Sequence, residues 1–190
     1  LSLVGSEMCI RDSPYRDVFS TVYSDDEEGG RFAALAIKDR GRKDIVAVLG
    51  PQDNPAVADR LRGYRAVLGE DLPDANVIYT GWNSGDGYQA MHQILAREIA
   101  FDGVLCGSDR IAAGVITALN EAGLSVPADV SVVGFDDHEI ATRCVPALTT
   151  VRHPLREEGH MAANIALDMV KGAEPTTSVM HMQLIQRDSL

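Results

Sequence analysis

Four short apolar runs, rich in valine and isoleucine, recur along the chain, and each closes near a glycine or a polar residue. Runs of this length without alternating polar positions are typical of strands that a parallel sheet buries on both faces. Between the runs, apolar residues return every three or four positions, which predicts amphipathic helices. The predicted strands are IVAVLG (45–50), NVIYT (76–80), FDGVLCG (101–107) and VSVVGF (130–135).

The helix boundaries are visible in the residues that start and stop helices. Asn54 and Pro55 suit the N-cap and first position of one helix, and Gly69 suits its end. The alternation of strands with helices predicts βαβ units, and therefore an α/β fold with a parallel sheet covered by helices on both faces. The other predicted helices are 27–40, one that Ser84 caps, one from Ser108 or Asp109 to Gly123, and 155–171.

Polar residues follow three of the predicted strands directly. In parallel α/β sheets, ligands bind outside the carboxyl ends of the strands, where such residues meet at one edge. We therefore expect a ligand site at this edge. Its candidate residues are Trp82 and Asn83, Ser108 and Asp109, and Asp136 and Asp137.

Two adjacent carboxylates, Asp136 and Asp137, end the stretch DVSVVGFDD (129–137). Adjacent side chains seldom aim at one reacting atom, and no cluster with metal-ligand spacing accompanies them, which disfavours catalysis and metal binding. Two interpretations stay open: the carboxylates only cap the following helix, or Asp136 binds ligand hydroxyls. A carboxylate accepts hydrogen bonds from two neighbouring hydroxyls at once, which suits a sugar diol or a nucleoside.

Trp82 and two arginines are further candidates. Trp82 is the only tryptophan, and it either packs in the core or forms a flat wall against a sugar ring or a base. Arg60 and Arg62 lie early in the helix after Asn54, where an arginine is solvated or else offers a planar set of donors to a ligand. The residues alone leave both alternatives open.

Composition narrows the function classes. The chain has 190 residues with 28 acidic and 17 basic side chains, for a net charge of −11, so it repels phosphate backbones and is a poor nucleic-acid binder by itself. No apolar run approaches the roughly 20 residues that span a bilayer. The sequence contains no nucleophile elbow and no phosphate loop, and we expect neither an enzyme nor a cofactor or metal site.

The three cysteines, Cys9, Cys106 and Cys144, form no disulfide or metal framework, which favours a reducing, cytoplasmic location.

The opening LSLVGSEMCIRDS (1–13) does not continue the pattern of the rest. It has no basic start, Glu7 interrupts its apolar stretch, and no small-residue cleavage site follows, so we do not expect a signal peptide. It resembles the translation of a sequencing adaptor, and we interpret it as a non-native leader. An ordinary disordered leader is the alternative.

Five motifs extend across nearly the whole chain from about Val18. The two longest are GLSVPADVSVVGFDD (123–137) and PALTTVRHPLREEGHMAANIALDMVKG (146–172). The others are RLRGYRAVLGE (60–70), GSDRIAAGVITALNEAG (107–123) and LIQRDSL (184–190). In this order and spacing they resemble the effector-binding core of the LacI/GalR family of bacterial transcription regulators.

The resemblance implies a periplasmic-binding-protein-like architecture of two Rossmann-like subdomains with parallel sheets, the N-terminal one incomplete. Residues 14–50 and 152–178 would form the partial N-terminal subdomain. Residues 51–151 and 179–190 would form the C-terminal, effector-binding subdomain. An incomplete N-terminal sheet would expose an unpaired strand edge, which puts its independent folding in doubt.

The family's effector contacts fall on Arg60, Trp82, Ser108, Asp136 and His153 of this chain. Two of them depart from the common pattern, because Ser108 stands where an asparagine is usual and His153 where glutamine or another polar residue is usual. Both differences bear on the identity of the ligand.

The resemblance also implies a function. A small sugar or related effector would bind in the cleft between the two lobes and control operator binding by a helix-turn-helix domain that this chain lacks. The intact protein would be a cytoplasmic homodimer with no membrane contact, and operator DNA would be a partner only through that domain. The alternative is the periplasmic sugar receptor of an ABC transporter, which shares the fold.

Overall fold

The computed structural model describes residues 19–97 and 99–190. The predicted non-native leader, 1–13, lies outside these residues, as do 14–18 of the predicted N-terminal subdomain. The described chain divides into two compact units. The smaller unit contains the described residues up to Asp25 together with Pro154–Met182, and the larger unit contains Asp26–His153 and Gln183–Leu190.

Strands and helices alternate along most of the chain, as the apolar pattern predicts. In chain order they are β1 (Thr21–Ser24), α1 (Asp26–Asp39), β2 (Ile45–Leu49), α2 (Pro55–Leu68), β3 (Val77–Tyr79), α3 (Ser84–Ala96), β4 (Gly103–Cys106), α4 (Asp109–Glu121), β5 (Ser131–Asp136), α5 (Ile140–Arg143), β6 (Thr149–Arg152), α6 (Leu155–Val170), β7 (Thr177–Met180) and β8 (Gln183–Ile185). Short 3₁₀ helices, Gly69–Asp71 and Asp74–Asn76, lie between α2 and β3.

The larger unit is built on a six-stranded sheet with the strand order β3-β2-β4-β5-β6-β8. The strands from β2 to β6 pair in parallel, whereas β8 pairs antiparallel with β6. Every residue of β2 and of β4 is buried, as expected of a parallel sheet with both faces covered. The predicted α/β class with parallel-dominated sheets is confirmed.

The core of the larger unit lies on both faces of this sheet. Along β2, Val46 and Val48 join a cluster with residues of α3 and α4, while the alternate residues Ile45, Ala47 and Leu49 are buried outside that cluster. Successive side chains of a strand point to opposite faces, so β2 contributes to two apolar layers. This explains why the run shows no polar alternation.

The helix ends follow the local sequence in most places. The Asn54 side chain accepts a hydrogen bond from the Ala56 N–H at 2.9 Å, and Gly69 ends α2 at a positive φ of 58°. The start of α3 differs from the prediction, because Asn83 rather than Ser84 is its N-cap. The Asp86 carboxylate accepts a hydrogen bond from the Asn83 N–H at 2.9 Å, which fixes the helix start one residue earlier.

The boundary between the units also differs from the predicted boundary after residue 50. Residues 26–50 belong to the larger unit, not to the partial N-terminal subdomain. The reason is strand pairing, because β2 lies between β3 and β4 inside the six-stranded sheet. On the sequence, β2 reads like any other buried strand, so its pattern does not show which sheet it joins.

The smaller unit contains a two-stranded parallel sheet of β1 and β7, together with α6. No side chain of α6 is buried among the residues that the structure describes. Leu155, Leu167 and Val170 are more than half exposed. The apolar face that the sequence predicts for this helix is therefore present but largely uncovered.

The last residues of the larger unit form hydrogen bonds with β5 and with the start of β6. The hydroxyl of Ser189 donates to the Val132 carbonyl at 2.6 Å and accepts from the Thr149 N–H at 2.8 Å. The Arg187 guanidinium donates to the Leu148 carbonyl at 2.8 Å. Because Ser189 is fully buried, these bonds fix β5 and β6 from one side.

Candidate functional site

The carboxyl ends of the parallel strands carry the predicted site residues. Asp136 is the last residue of β5, Ser108 comes two residues after β4, and His153 directly follows β6. Trp82 lies in the loop between β3 and α3. Because parallel strands end at the same edge, these residues share one edge of the larger unit.

Arg60 reaches this edge from α2 and is held on several sides. Its Nε donates to Asp26 Oδ1 at 2.7 Å, and its Nη1 donates to the Gly107 carbonyl at 2.5 Å. Its Nη2 lies 3.5 Å from Asp136 Oδ1, and its Cζ lies 3.8 Å above the centre of the Phe135 ring. The side chain is 5% exposed, so Arg60 is a rigid, buried cation between two carboxylates.

The contact between Arg60 and Asp26 depends on a close approach of two helices. A Cβ on Gly30 of α1 would lie 2.4 Å from the Arg60 carbonyl, and one on Gly63 of α2 would lie 2.2 Å from the Glu27 carbonyl. Only glycine fits at such distances. The two glycines therefore set the position of Asp26 relative to Arg60.

Asp136 ends its strand in an uncommon backbone conformation. Its φ is 104° and that of Asp137 is 53°, in the region that non-glycine residues rarely adopt. Conformations of this kind each cost about 1–3 kcal/mol and persist where the surroundings hold them. Both lie at a sharp turn on the carboxyl edge of the sheet, where ligands bind in folds of this class, which supports a functional interpretation of the turn.

The carboxylate of Asp136 retains acceptor capacity. A third of its side chain is exposed, and its Oδ1 lies 3.5 Å from Arg60 Nη2. Burial raises the pKa of Asp136, while the nearby Arg60 and His153 oppose that shift. His153 is half-buried, and its backbone N–H donates to the Asp136 carbonyl at 3.4 Å. The structure thus brings Arg60, Asp136 and His153 together.

Asp137 is engaged differently from its neighbour. Its carboxylate accepts from Arg152 Nε at 2.8 Å and from Arg187 Nη2 at 2.5 Å, and its side chain is only 10% exposed. Burial acts to raise the pKa of Asp137, but the hydrogen bonds from Arg187 and Arg152 outweigh it, and the pKa lies below its ordinary value. Asp137 therefore anchors the turn that presents Asp136.

Asp109, which the sequence indicated both as a candidate at this edge and as a possible helix start, is a fully buried carboxylate. Its Oδ1 accepts from the Thr150 hydroxyl at 2.5 Å, and its Oδ2 accepts from the His138 N–H at 2.6 Å. Burial raises the pKa of Asp109 to about 7, against the opposing effect of these hydrogen bonds. A Cβ on Gly134 would lie 2.3 Å from Asp109 Oδ1, so this glycine within β5 was the sequence signal for a close neighbour.

Ser108 and Trp82 each combine a structural contact with their place at the edge. The Ser108 hydroxyl accepts from the Ile111 N–H at 3.3 Å and caps α4, and Ser108 is 4% exposed. The Trp82 ring lies so close to Gly50 that a Cβ there would come within 2.4 Å of it. Its half-buried indole packs against the core cluster. Ser108 therefore caps a helix and Trp82 packs against the core. The ligand contacts of these two residues stay predictions.

Arg62, the second candidate arginine of α2, is exposed to solvent. Its side chain is 54% exposed and forms ion pairs with Asp59 and Glu27. It does not join the group around Asp136.

A shallow depression of about 270 Å³ lies beside the group of predicted residues. The five predicted site residues do not line it. It is lined by Asn83, Ser84, Arg110, His138, Glu139, Ile140 and Arg143. Within residues 19–97 and 99–190, no three or more histidine, cysteine or acidic side chains are arranged to hold a metal ion.

Comparisons with known proteins agree with the fold. Residues 34–190 match the family of periplasmic binding protein-like domains. The chain is similar to the HTH-type transcriptional repressor PurR of Escherichia fergusonii, with 37% identity over 168 residues, which are 86% of this chain and 49% of that protein.

Two solved structures show the same similarity. One is the complex of the transcriptional regulator CelR with cellobiose, with 32% identity and a TM-score of 0.88 over 95% of this chain and 56% of that one. The other is a sugar-binding regulator of the LacI family from Escherichia coli complexed with phosphate, with 31% identity and a TM-score of 0.82 over 90% of this chain and 63% of that one.

The fold defines a domain of the periplasmic-binding-protein type. The chain belongs to the periplasmic binding protein-like domain family and, within it, to the effector-binding cores of LacI/GalR-type transcriptional regulators. The predicted family is confirmed. The chain spans about half the length of the curated relatives it matches. In the described part of the chain, no helix is both long and apolar enough to cross a membrane.

Proposed function

We propose that the chain is the ligand-sensing core of a LacI/GalR-type transcriptional regulator. It binds a small sugar or a related polyol at the carboxyl edge of the six-stranded sheet. The ligand changes the operator affinity of a helix-turn-helix domain elsewhere in the intact protein. Support comes from the repressor relatives and from the cellobiose complex of a similar regulator.

The observation that carries the proposal is the arrangement of Arg60 and Asp136. Arg60 is buried and immobilised, and it holds its partner carboxylate in place at 3.5 Å. Asp136 is the more exposed of the two, and a carboxylate can accept several hydrogen bonds at once. Neighbouring hydroxyls of a sugar are donors of the right kind and spacing for a carboxylate.

The other predicted residues take supporting roles in the proposal. Trp82 offers the exposed part of its indole to the apolar face of a sugar ring. His153 lies beside Asp136 and supplies a second polar contact to the ligand. Ser108 contributes a hydroxyl already oriented by its cap of α4.

The proposal includes the behaviour of the intact protein. Ligand binding shifts its equilibrium between two arrangements of different operator affinity, which is a coupling between two distinct sites. A cytoplasmic homodimer suits the two-fold symmetry of a regulator that reads a palindromic operator.

A transporter receptor is the weaker alternative, because the similar proteins are regulators. An enzymatic role is disfavoured, because the similar proteins are regulators and because two arginines bind Asp137, so that it does not act as an acid–base partner of Asp136.

Ligand titration tests this proposal directly. The chain is titrated with cellobiose, ribose and other neutral sugars, and binding is followed by Trp82 fluorescence and by the melting temperature. The intact protein is then tested for a sugar-dependent change in operator affinity. Stabilisation by a neutral sugar with a matching change in operator affinity is the expected result. A panel without any binding sugar, or binding without an operator effect, would contradict the proposal.

A further inference from the structure

The charge of Arg60 is cancelled before any ligand arrives. One of its carboxylate partners is Asp136, which the sequence predicts, and the other is Asp26, which it does not. We propose that Asp26 determines the charge selectivity of the site: by holding Arg60, it makes the edge accept an uncharged polyhydroxy ligand and reject phosphorylated and other anionic ones. This inference rests on the proposed function and names the ligand class of the same site.

Each nitrogen of the Arg60 guanidinium already faces an acceptor of the protein. Carboxylates and phosphates are bound best by two parallel N–H groups of one guanidinium. In this structure Nε is bonded to Asp26 and Nη1 to the Gly107 carbonyl, while Nη2 faces Asp136. An incoming phosphate would have to displace one of these partners.

The position of Asp26 in the fold maintains its ion pair with Arg60. Asp26 is the first residue of α1, and its side chain is only 13% exposed. The close contact of α1 with α2 at Gly30 and Gly63 fixes the distance between the two helices. The Asp26–Arg60 ion pair is therefore built into the packing and does not rely on flexible surface side chains.

Two further arginines near Asp136 are already paired with its neighbour. Arg152 and Arg187 are both bound to Asp137. Asp136 itself would lie next to the anion, and like charges at such short distance repel strongly in a partly buried site. A neutral sugar avoids this cost because its hydroxyls donate to Asp136.

Similar regulators occur in complexes with ligands of both kinds, one with cellobiose and one with phosphate. The fold thus does not decide between a neutral and an anionic ligand. In this chain the residues around Arg60 determine which ligand charge is accepted, and Asp26 accepts the hydrogen bond from Arg60 Nε.

The test compares phosphate binding by the wild-type chain, by Asp26→Asn and by Glu27→Gln. Asp26→Asn keeps an oxygen that can accept from Nε but removes the negative charge, and Asp26→Ser serves as a second, smaller replacement. Glu27→Gln is the matched control, because it removes the same charge one residue later from a side chain that pairs with Arg31 and Arg62. Inorganic phosphate is titrated against each chain at constant ionic strength, with Trp82 fluorescence and the melting temperature as readouts.

The expected result is that Asp26→Asn or Asp26→Ser binds phosphate about 10-fold or more tighter than the wild type, in line with the gain of one charge-assisted contact. Glu27→Gln is expected to match the wild type. The proposal is overturned if no Asp26 variant gains affinity, or if Glu27→Gln gains as much. Neutral sugars are titrated in parallel, and their failure to bind the wild type would overturn the proposed function without changing the phosphate comparison.

Discussion

Asp137 and Arg187 form an ion pair of 2.5 Å between residues 50 positions apart in the chain. Arg152 contacts the same carboxylate at 2.8 Å. The residue before it, Asp136, has a more exposed carboxylate that faces Arg60. Two consecutive aspartates thus have different surroundings: one holds the turn through two arginines, and the other faces Arg60.

Asp136→Asn is expected to weaken binding of a neutral sugar. The substitution keeps the size of the side chain but replaces an acceptor oxygen with a donor, so that a ligand hydroxyl loses a charged partner. The expected loss is about 1.5–3 kcal/mol, or about 10- to 150-fold in affinity. Fluorescence titration of Trp82 with the sugar that binds the wild type measures it. Unchanged affinity would show that Asp136 does not contact the ligand.

Asp137→Asn is expected to act mainly on stability. The variant keeps one acceptor oxygen but loses the charge that pairs with two arginines around a strained turn. We expect the free energy of unfolding to fall by about 1–3 kcal/mol, measured by chemical denaturation. Its effect on sugar affinity should be much smaller than that of Asp136→Asn. A pair of variants with the opposite pattern would mean that the two roles are reversed.

Asp109 is expected to make stability depend on pH. Because burial raises its pKa to about 7, from about 3.9 in an unfolded chain, the folded protein binds this proton more tightly. Its contribution to the free energy of unfolding is therefore fully present below about pH 4 and is lost as the pH rises through about 7. The slope over this window is at most about 1.4 kcal/mol per pH unit.

Asp109→Asn isolates this contribution, because the amide resembles the protonated acid and does not titrate. The difference in unfolding free energy between the wild type and the variant should change between about pH 5 and about pH 7, in favour of the variant at the higher pH. Denaturation curves at several pH values measure the difference. A difference that stays constant over this range would place the pKa of Asp109 elsewhere.

Gly30→Ala is expected to destabilise the larger unit although alanine favours helices. The new Cβ would lie 2.4 Å from the Arg60 carbonyl and would force α1 away from α2. A net loss of about 1–3 kcal/mol is expected from such overpacking. Gly85→Ala in α3 is the matched control, because nothing lies within 4 Å of its Cβ position, and it should leave stability unchanged or slightly higher. Equal effects of the two substitutions would show that the helix contact is not tight.

Local signals in the sequence were sufficient for most of the elements. Asn54, Pro55 and Gly69 predict both ends of α2, and the buried strands follow from their uninterrupted apolar runs. The boundary of the larger unit was not predictable in this way. Whether β2 pairs with β3 and β4 or with another sheet depends on contacts between distant segments, and a buried strand carries the same pattern in either sheet.

The site was predictable in part for the same reason. Asp136 was identified by its place at the end of a strand, which the order of elements alone reveals. Asp26 and Asp109 acquire their roles only when α1 packs on α2 and β5 lies beside β4 and β6. The acidic run that contains Asp26 looks like an ordinary solvated helix start, so its sequence gives no sign of a buried partner 34 positions away.

The antiparallel pairing of β8 with β6 has a consequence for biosynthesis. Ribosomes produce a chain from its N-terminus, so β6 emerges well before Gln183–Leu190, and the whole of Pro154–Met182 is translated in between. During that interval the edge of β6 has no neighbour from β8, and Arg187, one of the two arginines that bind Asp137, has not yet been made. An open strand edge is a site of association between nascent chains. The newly made protein is therefore vulnerable to aggregation at this stage of synthesis, and we expect chaperones to bind it then.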